Sequence, residues 1–546
     1  METEEILKAL KLTAKLMELH DENPFKVKAI ANGVFRLDKG GIELQNKSLE
    51  ELEKIEGVGK GIASKIHELQ STSELKELNK LLEITPVGVI EMLTVKGIGP
   101  KKVRQLWKEL EIESVGELLY ACNENRLVEL KGFGTKTQEQ VKKFIEFSLA
   151  SKGKFHYAKV EEIALRLVET LKKKLNTKYV SLTGTIRRKC EIIEKIEILV
   201  VSEKEISIEE LNSEGKITVE IIRCSEKEFY QKLFETTGSE QHIKQLVIDN
   251  VQLASNSEEE IYSSLRLQYI EPELREGLNE IELAKQNKIP KLIEFSDLKG
   301  ILHNHTKYSD GTHTLREMAE YCKELGYQYL GICDHSQIAV YASGLKPEKV
   351  FEQQKEIDQL NKELAPFKIF KGIESDILND GSLDYPEEIL KTFDFIVASV
   401  HSNLKMDKEK ATARLLKVIE NPYTTILGHP TGRLLLSREG YPIDHKKIID
   451  ACAANNVVIE LNANPYRLDI DWRWIPYCLE KGVKISINPD AHSKSGYHDM
   501  YYGVCVARKG MLTKEMCLNT LTKEEIENVF RKNVAGVKTH FQDGQV

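Results

Sequence analysis

The stretch ILHNH at residues 301–305 is a short apolar run that ends on a His-x-His pair, and five later runs are built in the same way. They are YLGICDH (329–335), FKIFKGIE (367–374), FDFIVASVH (393–401), TTILGHP (424–430) and VKISINPDAH (483–492). Their β-branched residues favour strands, and each run carries a histidine or carboxylate at or near its end. Helix-period stretches such as 314–326 and 410–420 separate them. This alternation predicts a parallel (β/α) barrel with its functional side chains on the C-terminal face.

Nine potential metal ligands follow from these runs, and six of them are histidines in a chain that has 14 histidines. They are His303, His305, Asp310, His335, Glu374, His401, His429, Asp490 and His492. One histidine on an apolar run is more often a buried core residue, but nine ligands at six strand ends favour a metal site. Imidazole and carboxylate ligands suit zinc, manganese or iron better than magnesium or calcium. The expected cofactors are therefore two or three of these divalent metals, with no organic cofactor.

Composition limits the class of protein. At 546 residues the chain is expected to hold several domains. Its nine cysteines form no CxxC pair, and no apolar run reaches the roughly 18 residues of a membrane helix. These features predict a cytoplasmic protein with no membrane partner. A monomer is expected, although composition does not determine the oligomeric state. The net charge of −8 predicts that any nucleic-acid contact is local, through basic patches or backbone amides.

The first 150 residues contain three Gly-x-Gly segments, each between two helical patterns. The paired glycines are Gly57 and Gly59, Gly97 and Gly99, and Gly132 and Gly134, with Lys60 and Lys101 close by. A single pair is more often an ordinary helix cap, but three copies favour a repeated helix-hairpin-helix. Such glycines allow a tight turn that exposes backbone amides at a helix N-terminus. These amides can hold a DNA phosphate without reading any base.

Together with these hairpins, four further segments make the chain resemble the bacterial X-family DNA polymerases that carry a C-terminal PHP (polymerase and histidinol phosphatase) domain. The segments are NPFK (23–26), TGTIRR (183–188), TGS (237–239) and PELRE (272–276). The resemblance covers essentially the whole chain. It implies a multidomain α+β and α/β protein with a helical helix-hairpin-helix N-terminal region, a nucleotidyltransferase-like palm and thumb, and a distorted (β/α)7 PHP barrel.

The resemblance also implies domain boundaries and shared metal ligands. The domains are a helical end-binding domain (1–84), a fingers-like domain (85–150), the palm (151–238), the thumb and linker (239–296) and the barrel (297–546). One metal would take His303, His305, Glu374 and Asp490, a second would take Glu374, His401 and His429, and a third Asp310, His335 and His492. Glu374, Asp490 and His401 are the expected catalytic residues. Arg433, Arg467, Lys346 and Tyr308 are expected to grip phosphate or base, the alternative being ordinary loop positions.

The palm departs from the family pattern at its catalytic strand. Family members hold two magnesium ions with an Asp-x-Asp pair and a third Asp, but here Lys195, Glu197 and Glu220 stand at those positions. An ammonium at a metal position repels the metal. Thr185 and Arg188 keep the triphosphate-binding pattern. The expectation is a palm that keeps its fold without polymerisation.

The function predicted from these features is that of a DNA-repair nuclease. The barrel would hydrolyse phosphodiesters as a 3′→5′ exonuclease or in DNA end processing, and the partner would be gapped DNA or 3′ ends bound without sequence specificity. Three alternatives remain at this stage. They are a gap-filling polymerase that retains activity, a small-molecule phosphatase of the histidinol-phosphate type, and a scaffold without chemistry.

Overall fold

The computed structural model describes residues 1–40, 42–45, 47–128, 130–150, 153–203, 206, 217–246 and 255–534. The chain divides into two compact units, Met1–Glu146 and Phe147–Val546. None of the helices in the described ranges combines the length and apolarity that crossing a bilayer requires.

The first unit is helical. The helices that begin in it are α1 (Thr3–Leu19), α2 (Pro24–Gly40), α3 (Leu49–Glu53), α4 (Lys60–Thr72), α5 (Lys76–Glu83), α6 (Val87–Met92), α7 (Pro100–Glu109), α8 (Val115–Asn123) and α9 (Thr135–Ala150). Apolar residues at helical spacing, such as Val103 and Leu106 on α7, are buried. This fits the amphipathic pattern on which the helix-hairpin-helix expectation rested.

The region assigned to the palm begins the second unit and contains a two-stranded sheet and a three-stranded mixed sheet. The elements of this region are β1 (Phe155–His156), α10 (Tyr157–Leu175), β2 (Val180–Thr183), α11 (Gly184–Arg187), β3 (Ile192–Ile193), β4 (Lys195–Val201), β5 (Thr218–Cys224) and α12 (Phe229–Thr237). Strands β1 and β3 form the first sheet, and β2, β4 and β5 form the second. β4 is the central strand, antiparallel to β2 and parallel to β5, and β1 pairs with β3. Three helices follow: α13 (Glu240–Gln245), α14 (Glu258–Ser264) and α15 (Glu280–Lys285).

The rest of the second unit is a nearly closed parallel barrel. Its strands are β6 (Gly300–Ile301), β7 (Tyr329–Ile332), β8 (Lys368–Asp376), β9 (Phe395–Ser399), β10 (Ile426–Leu427), β11 (Val458–Asn462) and β12 (Ile485–Asn488). All seven pair in parallel with their neighbours in chain order, and a bridge between Asn304 and Ala491 joins the two ends. The parallel barrel predicted from the apolar runs and the seven strands implied by the resemblance are both confirmed.

Helices connect the barrel strands: α16 (Leu315–Glu324), α17 (Pro347–Glu363), α18 (Glu387–Leu390), α19 (Lys408–Ile419), α20 (His445–Asn455) and α21 (Ile475–Glu480). Two more, α22 (Met500–Lys509) and α23 (Lys523–Val534), follow the last strand. Thr314 caps α16 in a capping box, and the Asp407 and Asp444 side chains cap α19 and α20. These caps satisfy backbone amides that the helix leaves unpaired. Every residue of strands β7, β9, β10, β11 and β12 is buried. Because both faces of such parallel strands are covered, their sequences are nearly continuous apolar runs.

Candidate functional site

All nine predicted ligands gather beyond the C-terminal ends of the barrel strands. None of their side chains is more than 6% exposed. Three of them, His303, His429 and Asp490, have a positive φ. This conformation costs a non-glycine residue about 1–3 kcal/mol and persists where the surrounding fold enforces it. The barrel therefore holds these ligands in a constrained arrangement.

Glu374, near the end of β8, is the centre of the cluster. Its Oε1 lies 3.0–3.2 Å from the Nε2 atoms of His303, His401 and His429. Its Oε2 lies 3.0 Å from Nδ1 of His335. One carboxylate thus contacts histidines from four different strand ends.

The remaining ligands surround two further carboxylates. His305 Nε2 lies 3.0 Å from Asp490 Oδ1, and His303 Nε2 lies 3.5 Å from the same oxygen. Asp310 lies 3.5 Å from His335 Nε2 and 3.4 Å from His492 Nε2. The three carboxylates therefore share their histidine neighbours.

These contacts allow a comparison with the ligand sharing expected for three metals. Within the described part of the second unit, candidate ligand atoms within 4.8 Å of one another form three groups: His305, Asp310, His335 and His492; His303, His305 and Asp490; and His335, Glu374 and His401. The first contains the whole third set and adds His305. The other two contain parts of the first and second sets. His335 and His305 each belong to two groups, so the assignment of individual ligands to metals stays a prediction.

The donor chemistry of the cluster fits divalent metals. Among the described residues, four buried atoms make these short contacts without hydrogen-bond geometry: His303 Nε2, both ring nitrogens of His335 and Glu374 Oε2. Buried polar atoms in proteins nearly always have a partner, so these atoms are suited to metal coordination. Neutral imidazole with carboxylate suits zinc, manganese or iron.

Electrostatics keep the carboxylates ready to bind cations. Burial alone raises the pKa of Glu374, but His401, His303 and His335 lower it well below the usual value. Burial likewise raises the pKa of Asp490, and His303 and His305 bring it well below its usual value. Burial, His492 and His335 lower the pKa of His305 to about 3, so this ligand is neutral at physiological pH.

Sequence reasoning missed a second layer of carboxylates that holds the ligands. Glu460 Oε2 lies 2.6 Å from His303 Nδ1, and Asp376 Oδ1 lies 3.1 Å from His401 Nδ1. Such partners fix the tautomer and the orientation of metal-binding histidines. Glu460 and Asp376 lie on β11 and β8 close to their ends, so the same strand-end signal that found the ligands could have found them.

The four expected substrate-binding residues have different surroundings. Arg467 is 4% exposed, and its Nε lies 3.8 Å from Asp490 Oδ2. Arg433 donates to Asp471 at 2.6 Å and to the Arg467 carbonyl at 3.0 Å, so it supports the loop that carries Arg467. The half-buried Tyr308 donates to Glu356 at 2.7 Å, while Lys346 is exposed at the N-cap of α17. Arg467 is therefore the member of this set that directly neighbours a ligand.

The three predicted hairpins share one turn geometry. The amides of Val58, Ile98 and Phe133 each donate to the carbonyl three residues earlier, at 3.0–3.5 Å. The residue just before each of these amides is a glycine with a positive φ: +89° at Gly57, +99° at Gly97 and +86° at Gly132. Such a turn needs glycine at this position.

The second glycine of each pair precedes a helix. Gly59 and Gly99 are the N-caps of α4 and α7, and Gly134 precedes α9. A Cβ added at any of the three would meet no atom within 4 Å. Lys60 and Lys101 are exposed beside the first two turns. The helix N-termini are therefore open to a phosphate group.

The palm strands bring the three substituted positions together. Glu197 on β4 is in register with Glu220 on β5. Lys195 Nζ lies 3.0 Å from Glu197 Oε1 and 2.6 Å from Glu220 Oε2. Glu194, the carboxylate just before this strand, instead pairs with Lys154 at 3.3 Å. An ion pair thus occupies the position at which the resemblance implies a metal site.

The expected triphosphate-binding residues differ in accessibility. Thr185 is half-buried at the start of α11. Arg188 is 8% exposed and donates to the Thr237 carbonyl at 2.7 Å and to Glu276 at 3.2 Å. The Arg188 guanidinium is therefore engaged inside the protein rather than presented to a ligand.

Three family models match the chain in regions that agree with this geometry. A helix-hairpin-helix domain matches residues 1–75, and a SAM-like helix-hairpin-helix tandem matches residues 89–146. A PHP domain matches residues 302–464, which includes seven of the nine ligands.

Individual proteins are similar over the whole chain or over the barrel. The "DNA polymerase/3′-5′ exonuclease PolX" of Bacillus subtilis (strain 168) is 32% identical over 98% of this chain and 100% of its own length. A probable phosphatase of Thermoanaerobacter sp. (strain X514) is 28% identical over 41% of this chain and 91% of its own length. A histidinol phosphate phosphatase structure from Lactococcus lactis, complexed with zinc, L-histidinol and phosphate, is 19% identical over 39% of this chain and 93% of that chain. Its TM-score of 0.32 is too low to bear on function.

Proposed function

Because this chain belongs to the bacterial PolX family, X-family DNA polymerases with a C-terminal PHP domain, we propose that its barrel hydrolyses DNA phosphodiesters at 3′ ends. We further propose that the palm has lost nucleotide addition. The relative in Bacillus subtilis is named both a polymerase and a 3′-5′ exonuclease. The residues of this chain support these two activities to different degrees.

One observation carries the hydrolase proposal: four histidines, each from a different strand end, lie 3.0–3.2 Å from the same buried carboxylate, that of Glu374. Such a set could hold two or three divalent metals. Bound there, zinc, manganese or iron would supply Lewis acidity that activates water and neutralises phosphate charge. Phosphodiester hydrolysis needs both effects.

The protein's own groups would orient the reaction. Asp376 lies 3.1 Å from His401 Nδ1, and Glu460 lies 2.6 Å from His303 Nδ1. Each carboxylate favours the proton on Nδ1, which leaves the Nε2 lone pair facing Glu374. Arg467 beside Asp490 would bind a non-bridging phosphate oxygen through its guanidinium. The burial of these groups keeps bulk water away and strengthens their electrostatic effect.

The helix-hairpin-helix turns support DNA rather than a small molecule as the substrate. Their helix N-termini are open, and glycine leaves room for the sugar-phosphate backbone. Backbone contacts of this kind bind DNA without base preference. A small-molecule phosphatase would have no use for three of them.

The polymerase half of the family activity is the part that we propose is lost. Lys195 lies within hydrogen-bonding distance of both carboxylates that would bridge magnesium. A metal entering this site must displace an ammonium that already satisfies them. The buried Arg188 would further limit triphosphate binding.

The test is incubation of the purified full-length protein with end-labelled gapped DNA and Mn²⁺ or Zn²⁺, with and without deoxynucleoside triphosphates. A 5′ label should give a ladder of shortened strands, and a 3′ label should give released mononucleotide at once. Extended products should not form. Intact DNA under conditions in which the protein hydrolyses a phosphate monoester such as p-nitrophenyl phosphate would favour a small-molecule phosphatase, the activity in the name of the Thermoanaerobacter relative.

A further inference from the structure

His156, the last residue of β1, is a palm residue that contacts two loops of the barrel. Its Nε2 lies 3.1 Å from the carbonyl oxygen of Leu435, and its ring centroid lies 4.6 Å from that of Tyr466. The residue is 6% exposed. Because a carbonyl only accepts, this hydrogen bond requires the proton on Nε2. His156 thus holds one loop by a hydrogen bond and the other by ring packing.

Both loops belong to the candidate metal centre. The His429 loop (residues 429–441) begins at a ligand, and the Arg467 loop (residues 463–471) carries the arginine beside Asp490. The amide of Leu435 donates to the Tyr466 carbonyl at 2.7 Å. Arg433 Nε donates to the Arg467 carbonyl at 3.0 Å. The two loops are therefore bonded to each other at the residues that His156 contacts and close beside them.

We propose that His156 is a positioning residue for the hydrolase: it fixes the backbone at Tyr466 and so aims the neighbouring Arg467 at the substrate phosphate. The proposal rests on the function proposed above. If His156 has this role, the palm contributes to hydrolysis even without adding nucleotides. Arg467 directly follows Tyr466, whose ring His156 contacts. A shift of Tyr466 therefore moves the Arg467 guanidinium relative to Asp490.

Other palm–barrel contacts are consistent with this role. Glu161 on α10 accepts a hydrogen bond of 2.6 Å from the Tyr501 hydroxyl on α22. Buried Lys509, also on α22, donates to the Arg188 carbonyl at 3.1 Å and to Glu276 at 2.6 Å. The segment that would bind a triphosphate in a polymerase thus anchors the barrel here. These contacts fix the palm so that His156 can act as a rigid support.

The experiment compares three substitutions of His156 in the full-length protein. His156→Ala removes both contacts, His156→Gln keeps a donor for Leu435, and His156→Phe keeps the ring against Tyr466. We expect His156→Ala to raise KM for DNA about tenfold with kcat within about twofold, since weaker phosphate binding by Arg467 affects the ground and transition states equally. His156→Gln and His156→Phe should each recover part of the loss. Tyr179→Ala is the matched palm control, because its ring packs on Phe229 at 5.3 Å within the palm.

A double-mutant cycle separates positioning from general destabilisation. If His156 acts through Arg467, His156→Ala combined with Arg467→Met should be no worse than Arg467→Met alone. A purely structural loss would instead add to the effect of Arg467→Met. Hydrogen–deuterium exchange gives a readout without substrate: His156→Ala should increase exchange in residues 431–441 and 463–471, and Tyr179→Ala should not.

Failure of this inference differs from failure of the proposed function. Wild-type protein that degrades DNA, together with a His156→Ala variant of unchanged KM and unchanged loop exchange, would overturn the positioning role alone. Wild-type protein that leaves DNA intact but cleaves bis(p-nitrophenyl) phosphate would overturn the DNA substrate, and the same cycle would then be measured on that diester. Additive losses in the cycle would overturn the route through Arg467. Unchanged exchange in both loops decides against the role whatever the substrate.

Discussion

The ammonium of Lys195 lies 2.6 Å from Oε2 of Glu220 on the neighbouring palm strand. Hydrogen bonds to Glu220 and Glu197 raise the pKa of Lys195, so it stays charged throughout the physiological pH range. A single fixed cation thus satisfies the two carboxylates that a polymerase of this family would use for metal.

The first prediction is that the protein adds no nucleotides to a primer, and that Lys195→Asp alone does not restore the activity. This change removes the cation but leaves Glu197 and Glu220 one methylene longer than aspartate. The triple change to aspartate at all three positions should give at most weak incorporation, because Arg188 is bonded to Glu276 and the Thr237 carbonyl. The measurement is primer extension on one-nucleotide gaps with Mg²⁺ or Mn²⁺.

This assay needs a background in which degradation cannot mask synthesis. Asp490→Asn, a substitution in the candidate metal centre, provides it. If the Asp490→Asn variant, with Lys195, Glu197 and Glu220 unaltered, extends a primer in a template-directed way, our interpretation of the palm is wrong.

The clustering of the nine candidate ligands could be predicted from sequence because its determinants are local. Most of them, such as Glu374 and His401, stand at or just after the end of an apolar run, and a parallel barrel brings such ends together whatever its loops do. The Gly-x-Gly turns could be predicted for the same reason, since a type of turn is specified by a few adjacent residues.

Other features depend on packing between distant segments and could not be predicted. The position of Glu460 near a strand end marks it as a site residue, but its pairing with His303, 157 positions away in sequence, could not be predicted. The burial of Arg188 depends on Glu276, and its carbonyl contact with Lys509 spans 321 positions. No local pattern at Arg188 distinguishes a guanidinium that faces a nucleotide from one that is bonded inside the protein.

The second prediction is that His335→Ala or Asp490→Asn abolishes DNA hydrolysis, with a loss of at least about 100-fold, while DNA affinity stays within a few-fold. In our proposal, metal-assisted hydrolysis depends on these candidate ligands, whereas the hairpins would hold DNA by its backbone. The measurement pairs a degradation assay with a gel shift. His445→Ala is a matched control, because this barrel histidine stacks on Trp474 at 4.5 Å and belongs to none of the ligand groups. Equal losses of binding and cleavage would argue against this division of labour.

The third prediction is that Gly99→Ala weakens DNA binding without destabilising the fold. Gly99 has φ of −97° and a Cβ there meets no atom within 4 Å, so alanine is tolerated by the backbone but narrows the approach of a phosphate. Gly97 would be a poorer test, because its φ of +99° strains any side chain. We expect log affinity to fall less steeply with log salt, with a slope change of up to about 0.9 for each duplex-DNA phosphate that the variant no longer neutralises.

The control for this prediction is Gly326→Ala, at a solvent-facing helix end of the barrel with φ of +88°. It should cost some stability and leave the salt slope unchanged. A folded Gly99→Ala variant with wild-type affinity and slope would show that the second hairpin has only a structural role.

The fourth prediction is that Glu460→Gln lowers metal affinity about 10- to 100-fold while all nine ligands remain, the usual effect of changing a partner of a ligating histidine. Glu460 contacts His303 Nδ1 at 2.6 Å and accepts a hydrogen bond from Asn488 at 2.9 Å, so glutamine fills the same space without the charge.

The pH dependence of metal binding gives a second readout. Burial alone lowers the pKa of His303, but Glu460 and the ligand carboxylates raise it well above its usual value in the metal-free protein. Metal must then displace a proton, and its affinity rises with pH until His303 titrates. Glu460→Gln should therefore also flatten this pH dependence, as measured by competition with a chelator between pH 6 and 9. The exposed Glu480→Gln on α21 is the control, and wild-type affinity with an unchanged pH slope in Glu460→Gln would mean that Glu460 does not tune the centre.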